Sequence, residues 1–192
     1  MDHKAFPIKE PRQQADWRER FQDWGLSWSG WLNNQKGEWW LLAQLVLISA
    51  HLLPSWPPEF LAIWSGPAWL HVTGWTMFAV GLGLALQGVL ALGTSLSPLP
   101  DPKPNAALIT TGVYGRCRHP LYRAVVICSF GVVIAKESPL HLVLFLLLVA
   151  VLNGKAHREE QRLCALHPDY AIYRSNTPAI LPIVPGLDWR KG

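Results

Sequence analysis

The polar side chains that could do chemistry are concentrated in two short stretches of this sequence. The first, residues 108–123, brings together Tyr114, Arg118, His119 and Tyr122. Arginine and histidine can hold a carboxylate, and aromatic faces accept a cation. A simpler explanation is also open, because arginines and tyrosines commonly flank a membrane-spanning helix. The stretch is therefore a candidate binding site or an ordinary membrane boundary.

The second stretch, residues 155–174, carries charges of both signs. If one helix contains its first part, Lys155 lies one turn from Glu159, and His157 lies one turn from Glu160. Surface ion pairs are the plain explanation, and each contributes only about 0.3–0.5 kcal/mol. A di-iron site would need further Glu residues on facing helices, which the sequence does not supply, so no metal is expected.

Together the two stretches suit a zwitterionic ligand. Arg118 and His119 would face Glu159 and Glu160, so that the bases take a carboxylate and the acids take an ammonium group. S-adenosylmethionine carries an amino group, a carboxylate and a cationic sulfonium. It is one candidate among several amphoteric ligands.

The remainder of the chain indicates a membrane protein. Half of the 192 residues are hydrophobic and only 16% are charged. Residues 39–58, 60–100 and 138–154 contain no Asp, Glu, Lys or Arg. This apolar content excludes a disordered chain, and no clustered basic face is available for nucleic acid. Three cysteines at wide spacing do not indicate a disulfide framework.

The charge-free runs predict the helices that position the polar stretches. A spanning helix needs about 20 apolar residues, with about 17–25 tolerated. The sequence predicts four spans, at residues 39–53, 69–92, 120–135 and 139–153. Residues 57–64 could add a fifth, short re-entrant or interfacial segment. The fold class is therefore predicted to be an all-α integral membrane protein with no Rossmann domain.

Glycines in the second predicted span could be mistaken for a nucleotide-binding loop. Gly81, Gly83 and Gly88 lie inside an apolar helix, whereas a dinucleotide-binding loop follows a strand and opens a helix. Together with Gly74 and Gly93, they are interpreted as small residues that let helices pack closely.

Lysine and arginine are distributed unevenly among the connections. They gather in the N-terminal segment, in residues 93–119 and in the tail, and are absent from residues 54–68. Because cytoplasmic loops collect these residues, both termini and both polar stretches are predicted to be cytoplasmic. We expect residues 1–38 to form a cytoplasmic or interfacial segment. Residues 39–192 would form the membrane domain, with a cytoplasmic C-terminal helix and tail.

The order of motifs resembles that of the isoprenylcysteine carboxyl methyltransferase family, which is related to the membrane phospholipid N-methyltransferases. An Arg-His-Pro-x-Tyr block, an apolar hairpin and a Glu-Glu block follow one another, and this order makes the resemblance specific. The matching residues are Leu108-Ile109-Thr110-Thr111-Gly112-Val113-Tyr114, Arg118-His119-Pro120-Leu121-Tyr122, Glu159-Glu160, Leu163, Tyr170, Tyr173, Thr177-Pro178 and Leu181-Pro182.

The resemblance implies a multi-span membrane methyltransferase whose cofactor is S-adenosylmethionine. The cofactor pocket that it implies is lined by Leu108, Ile109, Tyr114, His119, Pro120, Leu121, Tyr122 and Glu159. The resemblance also implies that Glu160 belongs to the wall of this cofactor pocket. Lys155 would face the substrate, at a position where eukaryotic members usually have Arg.

Roles for the charged residues follow from this resemblance. We expect His119, supported by Arg118, to hold the carboxylate of the cofactor, and Glu159 to hold its amino group. Arg118 could instead contact lipid phosphate. Arg118, Glu160 and Lys155 are the candidate catalytic residues.

The methyl acceptor is expected to be a lipophilic small molecule or a lipid that enters from the bilayer. Its reactive group could be a carboxylate, amine, thiol or phenol. Lys155 in place of Arg weakens the case for a prenylcysteine carboxylate, because lysine makes no bidentate contact. Two other functions stay open, a membrane NADPH-dependent reductase and a non-catalytic scaffold or lipid-binding protein. The reductase would need several bases close together for the 2′-phosphate, and after the fourth span only Arg158 and Arg162 qualify for that role.

Cys117 lies between two arginines and could be a nucleophile of low pKa. A structural thiol is the preferred interpretation, since methyl transfer to an acceptor needs no covalent enzyme intermediate.

Overall fold

The structure, a computed structural model, describes residues 28–58, 66–101 and 108–191 and is helical, without a β-strand in these ranges. Residues 1–27 of the predicted cytoplasmic or interfacial segment, and most of the possible segment at 57–64, lie outside the described residues. The six α-helices of the described ranges are α1 (Trp28–Asn33), α2 (Glu38–Ala50), α3 (Ala68–Leu92), α4 (Pro120–Lys136), α5 (Pro139–Leu166) and α6 (Tyr170–Asn176).

A helix occupies each of the four predicted span positions. By length and composition, α3 and α5 can cross a membrane, whereas α2 is a shorter apolar helix and α4 has 17 residues. The all-α architecture is therefore confirmed for the described residues, and two candidate spans are present. Helix α5 continues beyond residue 153 as far as Leu166, so the second polar stretch begins on the same helix as the apolar run.

Proline and a left-handed turn define the hairpin between α4 and α5. Pro120 and Pro139 occupy the first turns of their helices, where a missing N–H group leaves no hydrogen bond unmade. Glu137 ends α4 in a left-handed conformation with φ 46°, which turns the chain into α5. Its carboxylate accepts a hydrogen bond from the N–H of Gly66 at 2.6 Å, so this end of the hairpin is tied to the start of α3.

Glycines bring α3 and α4 into close contact. Gly74, Gly81 and Gly88 are the buried residues of α3 and recur every seven positions along it. A Cβ atom at Gly81 would lie 2.9 Å from the backbone nitrogen of Cys128, and one at Gly88 would lie 2.8 Å from Leu121 Cδ2. These positions confirm the packing interpretation. It is wrong for Gly83 and Gly93, where an added Cβ meets nothing within 4 Å among the described residues.

The outer faces of the long helices are apolar and exposed. Unlike the core helix of a soluble protein, α3 buries little of its surface. An exposed apolar face of this size is unfavourable in water and suits a bilayer. Its large exposed side chains include Trp69, Val72, Trp75, Val80, Leu82, Leu86 and Leu90, and those of α5 include Leu142, Val143, Leu146 and Leu147.

The C-terminal tail folds back onto the α4–α5 hairpin. Ile180 and Leu187 are buried in a core cluster with Val126 of α4 and with Leu148 and Leu152 of α5. The tail therefore lies against the polar start of α4, where the candidate site is found.

Candidate functional site

The hairpin brings the two polar stretches into contact. Because α4 and α5 are antiparallel and joined by a short turn, the start of α4 lies beside the polar part of α5. His119 Nε2 lies 2.9 Å from Glu160 Oε1, and the Tyr122 hydroxyl donates a hydrogen bond to Glu159 Oε2 at 2.7 Å. The expected meeting of the bases with the two glutamates is thus present in the structure.

Arg118 joins α5 to the tail. Its side chain is fully buried, and its Nε donates to Glu160 Oε1 at 2.7 Å while Nη2 donates to Oε2 at 3.3 Å. Nη1 donates to the carbonyl of Arg174 at 2.6 Å and to the carbonyl of Thr177. With a fully buried side chain, Arg118 does not reach lipid phosphate, so that alternative is wrong for this structure.

Glu160 is the acceptor at the centre of this network. It is buried, and besides Arg118 and His119 it has Arg174 Nε at 3.4 Å. Its carboxylate is committed to protein donors, and it does not line the two clefts described below. This geometry suits a positioning role for Glu160, whereas the sequence led us to expect a catalytic one.

Glu159 has a different environment although it is the next residue. Its side chain is 28% exposed and accepts one neutral hydrogen bond, from Tyr122, while His119 Nδ1 is 3.8 Å away. The His119 ring stacks on the Tyr122 ring, with centroids 5.2 Å apart and an interplanar angle of 7°. Glu159 is thus a carboxylate that a ligand can reach.

Two joined clefts meet at Glu159. The first cleft, with about 660 Å³ of empty space including its mouth, lies between the end of α3, the far part of α5 and α6. The second, with about 680 Å³, lies between α2, α4 and α5. Leu92, Ser97, Tyr114, Arg118 and Glu159 line both clefts.

All eight residues of the expected cofactor pocket border these clefts. Leu108 and Ile109 line the first cleft, whereas His119, Pro120, Leu121 and Tyr122 line the second, and Tyr114 and Glu159 line both. The structure therefore brings together residues that are separated by up to 51 positions in the chain.

Lys155 lies in the wall of the second cleft and is almost completely buried. Its ammonium donates to Gln44 Oε1 and to the carbonyl of Pro98, both at 2.8 Å, and lies 5.4 Å from the centre of the Tyr122 ring. An ammonium group has three N–H donors, so one remains beyond these two bonds in the part of the chain that the structure describes.

Three tyrosines form the inner wall of the first cleft. Tyr114, Tyr170 and Tyr173 line it, and the Tyr173 hydroxyl donates to the carbonyl of Tyr114 at 2.6 Å. Burial is the main cause that raises the pKa of each phenol well above its ordinary value. These hydroxyls are therefore neutral at physiological pH and act as hydrogen-bond donors or acceptors.

Cys117 is a buried structural residue. Its thiol donates to the carbonyls of Ala179 and Ile180, at 3.1 and 3.3 Å. Burial raises the pKa of this thiol despite the neighbouring arginines. The structural interpretation is confirmed, and the thiol helps to fix the tail beside the site.

The sequence analysis missed several residues that line the clefts. Gln44 contacts Lys155, and it is a polar side chain inside an apolar helix, which is a recognisable sign of a polar site in a membrane segment. Ser95, Ser97 and His167 also line the clefts. The two serines lie in a charge-free run and carry no comparable sign.

Comparisons with known proteins match this region. A family model described as phospholipid methyltransferase matches residues 69–166, just over half of the chain, from α3 to the end of α5. The cobalt-zinc-cadmium resistance protein CzcN of Cupriavidus metallidurans is 31% identical over 120 residues, covering 62% of this chain and 53% of that protein. The protein-S-isoprenylcysteine O-methyltransferase of Mus musculus is 27% identical over 124 residues, covering 62% of this chain and 44% of the enzyme. The alignments thus span about half the length of these relatives.

Proposed function

The chain belongs to the phospholipid methyltransferase family, and on this basis we propose that it transfers a methyl group from S-adenosylmethionine to a lipophilic acceptor. The observation that carries the proposal is the pair of joined clefts, because a methyl donor and an acceptor must meet at a shared wall. Tyr114, Arg118 and Glu159 contribute to that wall.

The first cleft suits the methyl donor. Glu159 offers a carboxylate for the ammonium group, and the aromatic side chains of Tyr114 and Tyr173 border the cleft where a sulfonium would lie. The fully buried guanidinium of Arg118 holds Glu160 and two tail carbonyls through four N–H donors, so Arg118 supports this site and does not itself contact the cofactor. His119, whose Nε2 bonds Glu160, lines the second cleft beside Glu159, so the carboxylate of the cofactor would lie at the wall that the two clefts share, near His119 Nδ1.

Positioning is the main task of such a site. Methyl transfer is an in-line displacement at carbon, which requires the acceptor atom and the methyl group to approach within about 3–3.5 Å while water is excluded. The positive charge on sulfur disappears during the reaction, so a strongly cationic wall would not help. The neutral tyrosines of the first cleft meet this requirement.

The second cleft suits a lipophilic acceptor. Leu41, Leu121 and Val125 give it an apolar lining between helices that expose apolar side chains outward. The remaining N–H of Lys155 provides a single polar contact for the acceptor. A prenylcysteine-like carboxylate and a deprotonated thiol or phenol can each accept this bond, whereas a phospholipid amine cannot accept it while its one lone pair attacks the methyl group.

The membrane arrangement is part of the proposal. Helices α2, α3, α4 and α5 cross the membrane, with both termini and the two clefts at the cytoplasmic side. Residues 1–38 form a cytoplasmic or interfacial segment, and residues 39–192 form the membrane domain. Support comes from the exposed apolar faces and from the uneven distribution of lysine and arginine.

Calorimetric titration of the purified protein tests the cofactor. We expect S-adenosylhomocysteine, the product form of the donor, to bind with a stoichiometry of about one, and NADPH not to bind. Binding of NADPH alone would favour a reductase, and binding of neither compound would favour a non-catalytic lipid-binding protein.

A further inference from the structure

A short apolar loop in the tail is exposed between two buried anchors. Residues 181–186, here called the apolar loop, have the sequence Leu-Pro-Ile-Val-Pro-Gly and carry no charge. Ile183 is 87% exposed and Val184 is 40% exposed, whereas the flanking Ile180 and Leu187 are buried. The loop has no role in the clefts, which it does not line.

The anchors place the apolar loop at the depth where the proposed spans end. Ile180 and Leu187 pack against Val126, near the start of α4, and against Leu148 and Leu152, in the last turns of the apolar run of α5. The Nε of Arg123, in the first turn of α4, also donates to the carbonyl of Ile180 at 2.7 Å. The loop therefore lies level with the ends of helices whose exposed faces are apolar.

Part of the backbone of the loop is hydrogen-bonded within the tail. Pro182 and Pro185 have no N–H group. The N–H of Ile183 bonds Asp188 Oδ2 at 2.8 Å, and that of Leu187 bonds the carbonyl of Val184 at 3.0 Å. The N–H groups of Ile180 and Leu181 both bond the carbonyl of Leu187. Near a bilayer few water molecules are available to bond the N–H and C=O groups of a non-helical segment. These hydrogen bonds within the tail therefore lower the cost of placing the loop there.

Ile183 also has an unusual backbone conformation. Its φ of 69° is in the left-handed region, which β-branched residues rarely adopt. Asp188 holds this conformation through the N–H of Ile183, and Arg190 in turn holds Asp188, with Nη2 and Oδ2 2.6 Å apart. Strained backbone of this kind persists where the surroundings fix it. Here the result is an exposed apolar tip whose backbone is fixed by hydrogen bonds.

We propose that the apolar loop inserts into the headgroup boundary of the adjacent bilayer leaflet, with Ile183 and Val184 among the first carbons of the phospholipid chains. The inference rests on the proposed membrane arrangement of α2–α5. The tail that carries the apolar loop also holds Arg118 and Cys117 through its carbonyl groups. Insertion of the loop therefore attaches this tail to the membrane. The bilayer thereby supports one wall of the site.

A fluorophore that responds to its environment tests this insertion. It is attached to Ile183→Cys, and separately to Val184→Cys, in a protein carrying Cys128→Ser and Cys164→Ser, while the buried Cys117 is kept. The proteins are reconstituted in vesicles of phosphatidylcholine and phosphatidylglycerol. Leu146→Cys, on the exposed apolar face of α5, is the membrane control, and Gln161→Cys, at an exposed position of α5, is the water control.

We expect the label at position 183 or 184 to emit at a shorter wavelength than the label at 161. A lipid carrying a spin label near its headgroup should quench it more strongly than one labelled near its chain end. A water-like, unquenched label at both loop positions, with quenching at 146, would overturn the inference and leave the membrane arrangement intact. If the label at 146 were also unquenched, the membrane arrangement would fail, and the inference with it.

Discussion

Glu159 and Glu160 are neighbours in the chain, but their carboxylates have different partners. Glu160 is buried and is held by Arg118 at 2.7 Å and by His119 at 2.9 Å. Glu159 is partly exposed, accepts a bond from Tyr122 and borders both clefts. One glutamate therefore holds the site together, and the other is available to a ligand.

Replacing Glu160 is expected to destabilise the protein. Glu160→Gln leaves the buried guanidinium of Arg118 without its counter-charge, and breaking such a pair costs about 3–5 kcal/mol. The apparent Tm in detergent should fall by on the order of 10 °C. An unchanged Tm would contradict the positioning role of Glu160. Arg162→Gln, which removes an exposed charge on the same helix, serves as the control and should have little effect.

The hydrogen bond between Lys155 and Gln44 is expected to couple α5 to α2. Lys155→Met and Gln44→Leu each break the bond of 2.8 Å, and the double variant breaks it only once. A double-mutant cycle on thermal unfolding should therefore give a coupling energy of about 0.5–1.5 kcal/mol. Strict additivity of the two changes would show that this contact does not stabilise the protein.

Gly81 and Gly83 form a matched pair for helix packing. Gly81→Ala puts a methyl group 2.9 Å from the backbone nitrogen of Cys128, whereas Gly83→Ala meets open space. We expect a loss of about 1–3 kcal/mol for Gly81→Ala. For Gly83→Ala we expect no loss, or a gain of up to about 1 kcal/mol, since alanine favours the helix. Equal effects of the two changes in thermal unfolding would contradict the close approach of α3 to α4.

Thiol labelling should distinguish Cys164 from Cys117. Because burial raises the pKa of Cys117, its thiolate fraction stays below that of an ordinary cysteine between about pH 7 and 9. Cys164 is exposed and should react first, whereas Cys117 should react only after unfolding. Mass spectrometry reports which thiol is modified. Fast modification of Cys117 in the folded protein would contradict the structural interpretation and support a role as a nucleophile.

The helices could be predicted from the sequence because their signals are local. The charge-free runs and the prolines at 120 and 139 mark the starts of α4 and α5, and the structure begins both helices at these residues. The meeting of Arg118 and His119 with the glutamates also followed, since an antiparallel hairpin brings those ends together.

The separate roles of Glu159 and Glu160 could not be predicted in the same way. Neighbouring residues on a helix lie about 100° apart around its axis, so the division depends on which face of α5 meets α4 and the tail. For the same reason Gly81 and Gly83 look alike in the sequence, although only Gly81 contacts α4. The link from Lys155 to Gln44 joins residues 111 positions apart, and no pattern within either helix indicates it.

The most direct test of the account is the affinity of Glu159→Gln for S-adenosylhomocysteine. The amide keeps the size of the side chain and can still accept the Tyr122 hydrogen bond, but it removes the charge that would hold the ammonium group. A charged hydrogen bond contributes about 1.5–3 kcal/mol, so we expect calorimetric titration to give a Kd raised about 10- to 100-fold. The Tm should stay close to that of the unchanged protein, and the control Gln161→Ala should bind normally. Binding of Glu159→Gln with unchanged affinity would contradict the assignment of Glu159 to the cofactor.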